Sequence, residues 1–344
     1  MTVEKAPLVT VIVVNYNAGE YLLQCLRALS VQSFRDFQVV VADNSSEDGS
    51  FDTARRAFDS RQPESGPKFL FVQMGENAGF AKSNNLFALQ ARSQFVALLN
   101  PDAIPAVDWL KRLTDSADRY PQFAMFGSTQ INFREPSLYD GVGDNYLAFG
   151  VPWRGGFGQP IDSCTDSYEV FSPCAAAAMY RTDRFRAAGG FDESYFCYVE
   201  DVDLGFRLRL AGHKCLQVAG AIVRHAGGAS SPDRRFAIFH GTRNMIWTFV
   251  KNMPGPLFYP LLPAHFCLVA ILFVRAVFRG DASPTLRGIA AAIRGLPRCW
   301  LLRRSIQSGR IAPVRAIARA MCWTPTDYLR RARFSLGRLS PSSH

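Results

Sequence analysis

Glu200, Asp201 and Asp203 place three carboxylates in the short apolar stretch FCYVEDVDLG. Charged runs ordinarily sit in solvent among polar neighbours. Capping explains one acid at a helix start, because negative charge favours helix N-termini. Three acids in an aromatic and aliphatic frame exceed that need. A general base requires a carboxylate that packing fixes and partly shields from water. Asp201 fits the task, with Leu204 and Leu208 following it at helical spacing. Glu200 or Asp203 is then left to anchor the backbone or to bind an acceptor.

Four further clusters carry chemistry. Asp102 follows Asn100 and Pro101. A carboxylate at a strand end suits Mg²⁺ or Mn²⁺ bridging a diphosphate, because hard cations share oxygen ligands with phosphate. Asn-Pro-Asp is equally a good turn. Asp43 opens DNSSEDGS. It can accept hydrogen bonds from a nucleobase or ribose, or the loop can simply cap the helix from Ser50. Asn77 and Gly79 open a helix with Asn84 one turn in, and backbone N–H groups at such a start attract phosphate. His225 follows an apolar run and Arg224. It reads either as a metal ligand through a ring nitrogen or as a structural histidine. The pair Gly227-Gly228 behind it suggests a loop that bends over a ligand.

These residues need a rim. Val9–Asn15, Phe37–Ala42, Phe69–Met74 and Phe95–Leu99 read as buried strands. Helical patterns lie between them at Leu22–Leu29, Ser50–Phe58 and Phe80–Ala91, with another at Val107–Tyr120. Alternating strand and helix predicts an α/β fold, a doubly wound, mainly parallel sheet with helices on both faces. Ligands bind such sheets at the carboxyl ends of the strands. Those ends carry Asn15 and Asn17, Asp43, Asn77, and Asn100 with Asp102. Residues 131–172 lose periodicity and read as a long functional loop or lid. A helix from about Asp201 to Ala211 stops at Gly212.

The 344 residues are 48% hydrophobic, enough for a substantial core and against disorder. The eight cysteines include no CxxC pair, which argues against a zinc ribbon or a thioredoxin-like site. They read as reduced thiols of a cytosolic protein. The apolar run at Leu8–Val14 reads as a first strand rather than a signal peptide.

The clusters occur in one order: NYN, DNSSEDGS, ENAGFAKSNN, LLNPDA, GGFDESYFCYVEDVDLGFR and HAGGAS. This ordered set resembles family 2 glycosyltransferases, in the subgroup that includes rhamnosyltransferases of bacterial surface polysaccharide assembly. The likeness spans roughly residues 8–250. It implies a GT-A fold, a nucleotide-sugar donor, a divalent cation and inversion at the anomeric carbon. Asp43 resembles the acid that reads the nucleotide. Asp102 resembles the metal-binding acid of the DxD motif, whose first acid is Asn100 here. Asp201 resembles the catalytic base of the ED motif. His225 resembles the late histidine that holds metal or diphosphate. Arg243-Asn244 resembles a recurrent patch whose role the sequence does not explain.

Residues 251–344 hold 15 of the 39 Lys and Arg but only 2 of the 29 Asp and Glu, a net +13 that leaves −3 on the first 250. The tail opens with an apolar stretch from Leu257 to Val274 that contains Pro260 and Pro263. These prolines, with Pro254 and Pro256, are expected to break its front half. That favours a helix lying in the membrane interface over a full span, with a buried packing helix as the alternative. Arginines recur downstream among apolar residues, a pattern suited to anionic lipid head groups. No nucleic-acid reading motif accompanies them.

The chain therefore divides into a catalytic region, 1–250, and a helical, basic, membrane-associating tail, 251–344. The leading reading is an inverting transferase on the cytoplasmic face of the plasma membrane, peripheral or monotopic. It would move L-rhamnose from dTDP-rhamnose to a lipid-linked saccharide. Galactofuranose or another hexose is an alternative donor sugar. A nucleotidyltransferase making nucleotide sugars is a different class, but NYNAGEYL lacks the basic glycine-rich loop it would need. A catalytically idle binding module is a third, against which the intact Asp43, Asp102, Asp201 and His225 argue.

Overall fold

A computed structural model describes residues 6–59, 66–162, 166–227 and 233–336. The first half alternates as its periodicity predicts. It runs β1 (Val9–Asn15), α1 (Glu20–Ser30), β2 (Phe37–Asp43), α2 (Ser50–Asp59), β3 (Lys68–Gln73), α3 (Gly79–Ala88) and β4 (Phe95–Leu99). Then come β5 (Ala103–Pro105), α4 (Trp109–Arg119) and β6 (Phe123–Asn132). The aperiodic region 131–172 is not one long loop. It folds into β7 (Tyr139–Gly141), β8 (Asp144–Leu147), β9 (Val151–Arg154) and β10 (Tyr168–Val170). These strands are three or four residues long, too short for their alternation to register as a period.

Next are β11 (Ala177–Arg181), α5 (Thr182–Ala187), α6 (Glu200–Leu210) and β12 (Lys214–His225). Five helices close the chain: α7 (Arg234–Asn252), α8 (Gly255–Phe278), α9 (Ala282–Ser308), α10 (Val314–Ala320) and α11 (Pro325–Leu329).

The main sheet runs β10-β12-β6-β11-β4-β1-β2-β3, with β5 beside β12 and β7 beside β6. Strands β4, β1, β2 and β3 are mutually parallel, and β12 is parallel to β6. Strand β11 lies antiparallel between β4 and β6. Both faces are covered. Val9, Val11 and Val13 of β1 pack with α1, α2 and α4, while Ile12 and Val14 pack with α3, α5 and α6. That is why β1 reads as a continuous apolar run rather than an alternating one.

A third core joins α6 to the C-terminal helices. Val202, Phe206 and Leu210 pack with Trp247, Phe249, Phe258 and Cys299. The N–H groups of Ile311 and Ala312 both donate to the Leu210 carbonyl at 2.9 Å.

Pro260 and Pro263 do not break α8, which runs continuously over 24 residues. Pro256 sits in the first turn, where a missing N–H costs nothing. Packing of Phe258, Leu261 and His265 holds the helix through the next two prolines. It is long and apolar enough to cross a membrane, with mean hydropathy 2.2, yet only 11% of its most apolar segment is buried.

Candidate active site

Above the carboxyl ends of the strands lies a cavity of about 1020 Å³. Asn77, Gly79, Asn100, Asp102, Glu200, Asp201 and His225 all line it. Asn15, Asn17, Asp43 and Asn84 do not. They build the rim behind it. Asn15 and Asp43 are register partners at the ends of β1 and β2. The Asn15 amide donates to Asp43, Ser46 and Ser50 at 2.8, 2.9 and 2.9 Å. Asp43 also accepts from the Ser46 hydroxyl at 2.6 Å and the Ser46 N–H at 3.0 Å. Asn17 accepts from the Glu47 N–H. Asn84 turns back to the Phe80 carbonyl within its own helix. The neighbour of Asp43 that does reach the cavity is Asn44, which sequence reasoning passed over.

On one side of the cavity Asp102 meets His225. Strand β12 ends against β5, pairing His225 with Ala103 and closing the gap to Asp102. The Asp102 carboxylate lies 3.3 Å from His225 Nε2. His225 Nδ1 donates to Asp140 at 2.7 Å, and Asp140 accepts from Arg154 at 2.6 Å. Burial drives the Asp140 carboxyl up, but His225 and Arg154 outweigh it and hold it below the ordinary range. An ionised Asp140 fixes the proton on Nδ1 and leaves Nε2 facing Asp102. A carboxylate–histidine pair of this kind is how proteins orient an imidazole toward a metal. The donor set therefore fits a divalent cation. Burial pulls the His225 imidazole down, but its bonds to Asp102 and Asp140 outweigh that and raise it. Gly228, the second glycine of the expected loop, lies outside the described residues.

On the other side stands Asp201, in the first turn of α6. One oxygen accepts from the Ala175 N–H at 3.0 Å and the other from the Val202 N–H at 2.8 Å. Asp144, which sequence reasoning missed, stands beside it. Oxygens of Asp144 and Asp201 and the sulfur of Cys174 lie within 4.8 Å of one another. Burial and the Asp201 charge push Asp144 well above the usual carboxylate range. Glu200 is raised well above its ordinary value for the same two reasons. Burial also raises Asp201, though less, because two N–H groups and Arg154 oppose it. The Cys174 thiol is pushed up to about 12 by burial. The three groups form a largely buried acidic corner of the cavity.

Asp203 belongs to neither group. It is fully buried and paired with Lys251 at 2.8 Å and Arg207 at 2.9 Å. Tyr195 and Asn252 donate to it as well. The three acids in the apolar frame thus divide between two settings. Glu200 and Asp201 face the cavity, and Asp203 is a structural ion pair.

The loop before α6 is strained. Phe196, Tyr198 and Val199 have φ of 66°, 68° and 69°. Left-handed backbone is unusual for any side chain and a genuine outlier for a β-branched one. Arg243 and Asn244 explain how it persists. The Asn244 amide donates to the carbonyls of Tyr195, Cys197 and Tyr198 at 3.1, 2.9 and 2.7 Å. Arg243 donates to those of Ser194 and Tyr195. Gly79 takes the loop on its other side. A Cβ there would stand 2.6 Å from the Phe196 ring.

The mixed, mostly parallel sheet with its polar rim is a GT-A glycosyltransferase fold. Residues 10–188, just over half the chain, match the family model "Glycosyl transferase family 2", and the chain belongs to that family. It is a glycosyltransferase of the polysaccharide-building kind. N-acetylglucosaminyl-diphospho-decaprenol L-rhamnosyltransferase of Mycobacterium tuberculosis is 28% identical over 62% of this chain and 75% of its own. Succinoglycan biosynthesis protein ExoA of Rhizobium meliloti is 23% identical over 83% of each chain. The mannosyltransferase PcManGT of Pyrobaculum calidifontis, solved with GDP-Man and Mn²⁺, superposes with a TM-score of 0.54. It covers 92% of this chain and 88% of its own at 17% identity, which speaks to fold alone.

Proposed function

We propose that this chain is an inverting, divalent-metal-dependent glycosyltransferase that moves L-rhamnose from dTDP-rhamnose to a hydroxyl of a lipid-linked saccharide. The observation that carries this reading is one cavity with Asp201 on one wall and the Asp102–His225 pair on the other. Asp201 takes the proton of the acceptor hydroxyl as that oxygen attacks the anomeric carbon from the face opposite the leaving nucleotide. Two backbone N–H groups hold its carboxylate in line, and Asp144 and Glu200 exclude water from its flank.

Asp102 and His225 would hold Mg²⁺ or Mn²⁺, which when bound supplies positive charge to the departing diphosphate. Asn44, Asn77 and the α3 N-terminus with Gly79 would meet the nucleotide and its phosphates. Asp43, with Asn15 and Asn17, shapes that rim, and Asn100 steadies His225 from 3.4 Å. Asn84 stiffens the first turns of α3.

The rhamnosyl assignment and the lipid-linked acceptor rest on likeness to the mycobacterial enzyme. The exposed apolar α8 and the basic tail support a reading in which it works at the cytoplasmic face of the plasma membrane, with an anionic lipid surface as partner. The test is a panel of nucleotide sugars, each with and without Mg²⁺ and Mn²⁺, scored for hydrolysis and for transfer to a prenyl-diphosphate saccharide. Turnover of dTDP-rhamnose above the others supports the reading. Turnover of a different donor alone overturns the sugar, and nucleotide-sugar synthesis from a sugar phosphate overturns the class.

A further inference from the structure

A second hollow of about 340 Å³ lies between the C-terminal end of α8, the start of α9 and α11. Arg275 and Arg279 enter it from one stripe of α8, with Leu272 and Ala276 on the same face. Arg331 enters from the end of α11, its guanidinium 5.2 Å above the Tyr328 ring. Its backbone is left-handed, with φ of 52°, and its carbonyl accepts from the Gly156 N–H at 2.8 Å. The position of Arg331 is therefore built rather than frayed. The acid in the hollow, Asp281, is already paired with Arg234. None of the three lining arginines has an ion pair among the described residues.

Three arginines line one hollow whose acid is already engaged, a setting that an anion would complete. Planar guanidinium forks match phosphate oxygens in pairs. The neighbouring stripe of α8 points to the kind of phosphate. Ile271, Val274 and Phe278 are exposed there, and Phe266 lies further up the helix. With that stripe in the acyl region of a bilayer, the arginines sit at head-group depth, stems along the apolar surface and charges outward.

We propose that Arg275, Arg279 and Arg331 form a specific site for the phosphate of an anionic phospholipid. This rests on the membrane reading above and sharpens it from a diffuse basic tail to one docking point. The hollow also includes Ile238 of α7, one half-turn from Phe236, which lines the active-site cavity. One helix thus borders both the hollow and the cavity.

The experiment uses the full chain and flotation on vesicles of phosphatidylcholine alone or with phosphatidylglycerol. One variant carries Arg275→Gln, Arg279→Gln and Arg331→Gln. A charge-matched control carries Arg294→Gln, Arg304→Gln and Arg315→Gln, all exposed and outside the hollow. Thermal melts and nucleotide-sugar binding confirm that both are folded. Each arginine at the surface is worth about fivefold in binding, so three are worth on the order of a hundredfold. The control is expected to lose up to that much from charge alone, and the hollow variant at least about tenfold more for phosphatidylglycerol vesicles, because its guanidinium forks would also bind phosphate directly. Equal losses would make the effect diffuse electrostatics and overturn the site. Inorganic phosphate that abolishes vesicle preference, where chloride at equal ionic strength does not, would make it a free-phosphate site and overturn the lipid assignment. Wild type that floats on neither vesicle sinks the membrane reading itself, whereas wild type that floats while the hollow variant is unaffected sinks only this proposal.

Discussion

Asp201→Asn separates chemistry from binding. The substitution is nearly isosteric but removes the carboxylate proposed to take the acceptor proton. Loss of a general base costs roughly 10²–10⁴ in rate, or about 3–5 kcal/mol of barrier. The structure adds a second, smaller cost. Both carboxylate oxygens accept backbone N–H groups, from Ala175 and Val202. An amide can satisfy only one and turns its NH₂ against the other. An unmet buried donor costs about 1–3 kcal/mol of stability, a few degrees in Tm for a chain of this size. The groups proposed to meet the donor, Asn44, Asn77, Gly79 and the Asp102–His225 pair, are left intact, so donor affinity is expected to stay within about twofold, far below the barrier effect. Calorimetry with the nucleotide sugar, turnover with donor and acceptor, and a thermal melt on one preparation give all three numbers. Turnover near wild type would remove Asp201 from the reaction. Lost donor binding would move it to the donor site.

Asp102→Ala should weaken metal-dependent donor binding, and EDTA should do the same to wild type. Full activity in excess chelator, with metal content checked, would remove the cation. Asn244→Ala unpins the strained loop before α6, and turnover should fall at least about tenfold with the fold retained, because positioning of the base is worth that much. Asp144, Glu200 and Asp201 have folded-state values above their unfolded ones. Their burial therefore costs stability increasingly as pH rises from the ordinary carboxylate range through the raised values. Asp144→Asn should accordingly stabilise the protein at neutral pH, with the gain vanishing in acid. Denaturant titrations across pH would show it, and a pH-independent difference would contradict it. Asp140, Asp192 and Asp203 have the opposite sign, their contribution present at neutral pH and lost as pH falls.

What the sequence disclosed follows from chain locality. The β1-to-β4 alternation is local, so strands, helices and the rim residues at their ends could be read from period and turn chemistry. The placement of Asp201 beside the cavity was legible because its odd setting, acid among aromatics, is contiguous. Asp140, Asp144 and Arg154 were not. They lie in strands of three or four residues and reach the cavity only because β7 pairs with β6 and β8 with β9. Their one local trace is a pair of acids set among glycines, YDGVGD, which turns also produce. Asn44 was hidden by its neighbour: Asp43 looks the better ligand by residue type, but register sends its carboxylate into the rim network. The clamp by Arg243 and Asn244 spans about fifty residues of sequence, a separation that no period records.

The basic tail also bears on the setting of Asp201. Lys251 is buried between Asp192 at 2.6 Å and Asp203 at 2.8 Å, above the Tyr195 ring. Arg298 of α9 reaches Asp192 as well, at 2.7 Å. Arg303 caps the Val250 and Met253 carbonyls. Asp192, Tyr195 and Asp203 flank the strained loop and the first turn of α6, so helices beyond residue 250 hold the geometry of Asp201. A chain ending at Val250 would leave Asp192 without Lys251 and Arg298, leave Asp203 with only Arg207 and the Tyr195 hydroxyl, and bare the α6 face that packs on Phe258 and Cys299. Breaking a buried ion pair by removing one partner costs about 3–5 kcal/mol, against a total stability of roughly 5–15 kcal/mol for a whole domain. The shortened chain is therefore expected to aggregate or to lose its cooperative melt, and Lys251→Met alone to lower the denaturation midpoint by an amount worth about 3–5 kcal/mol. Circular dichroism melts and nucleotide-sugar binding of both proteins decide it. A soluble 1–250 chain that melts cooperatively and binds donor would show that the catalytic fold stands without its tail and that the Lys251 cluster is dispensable.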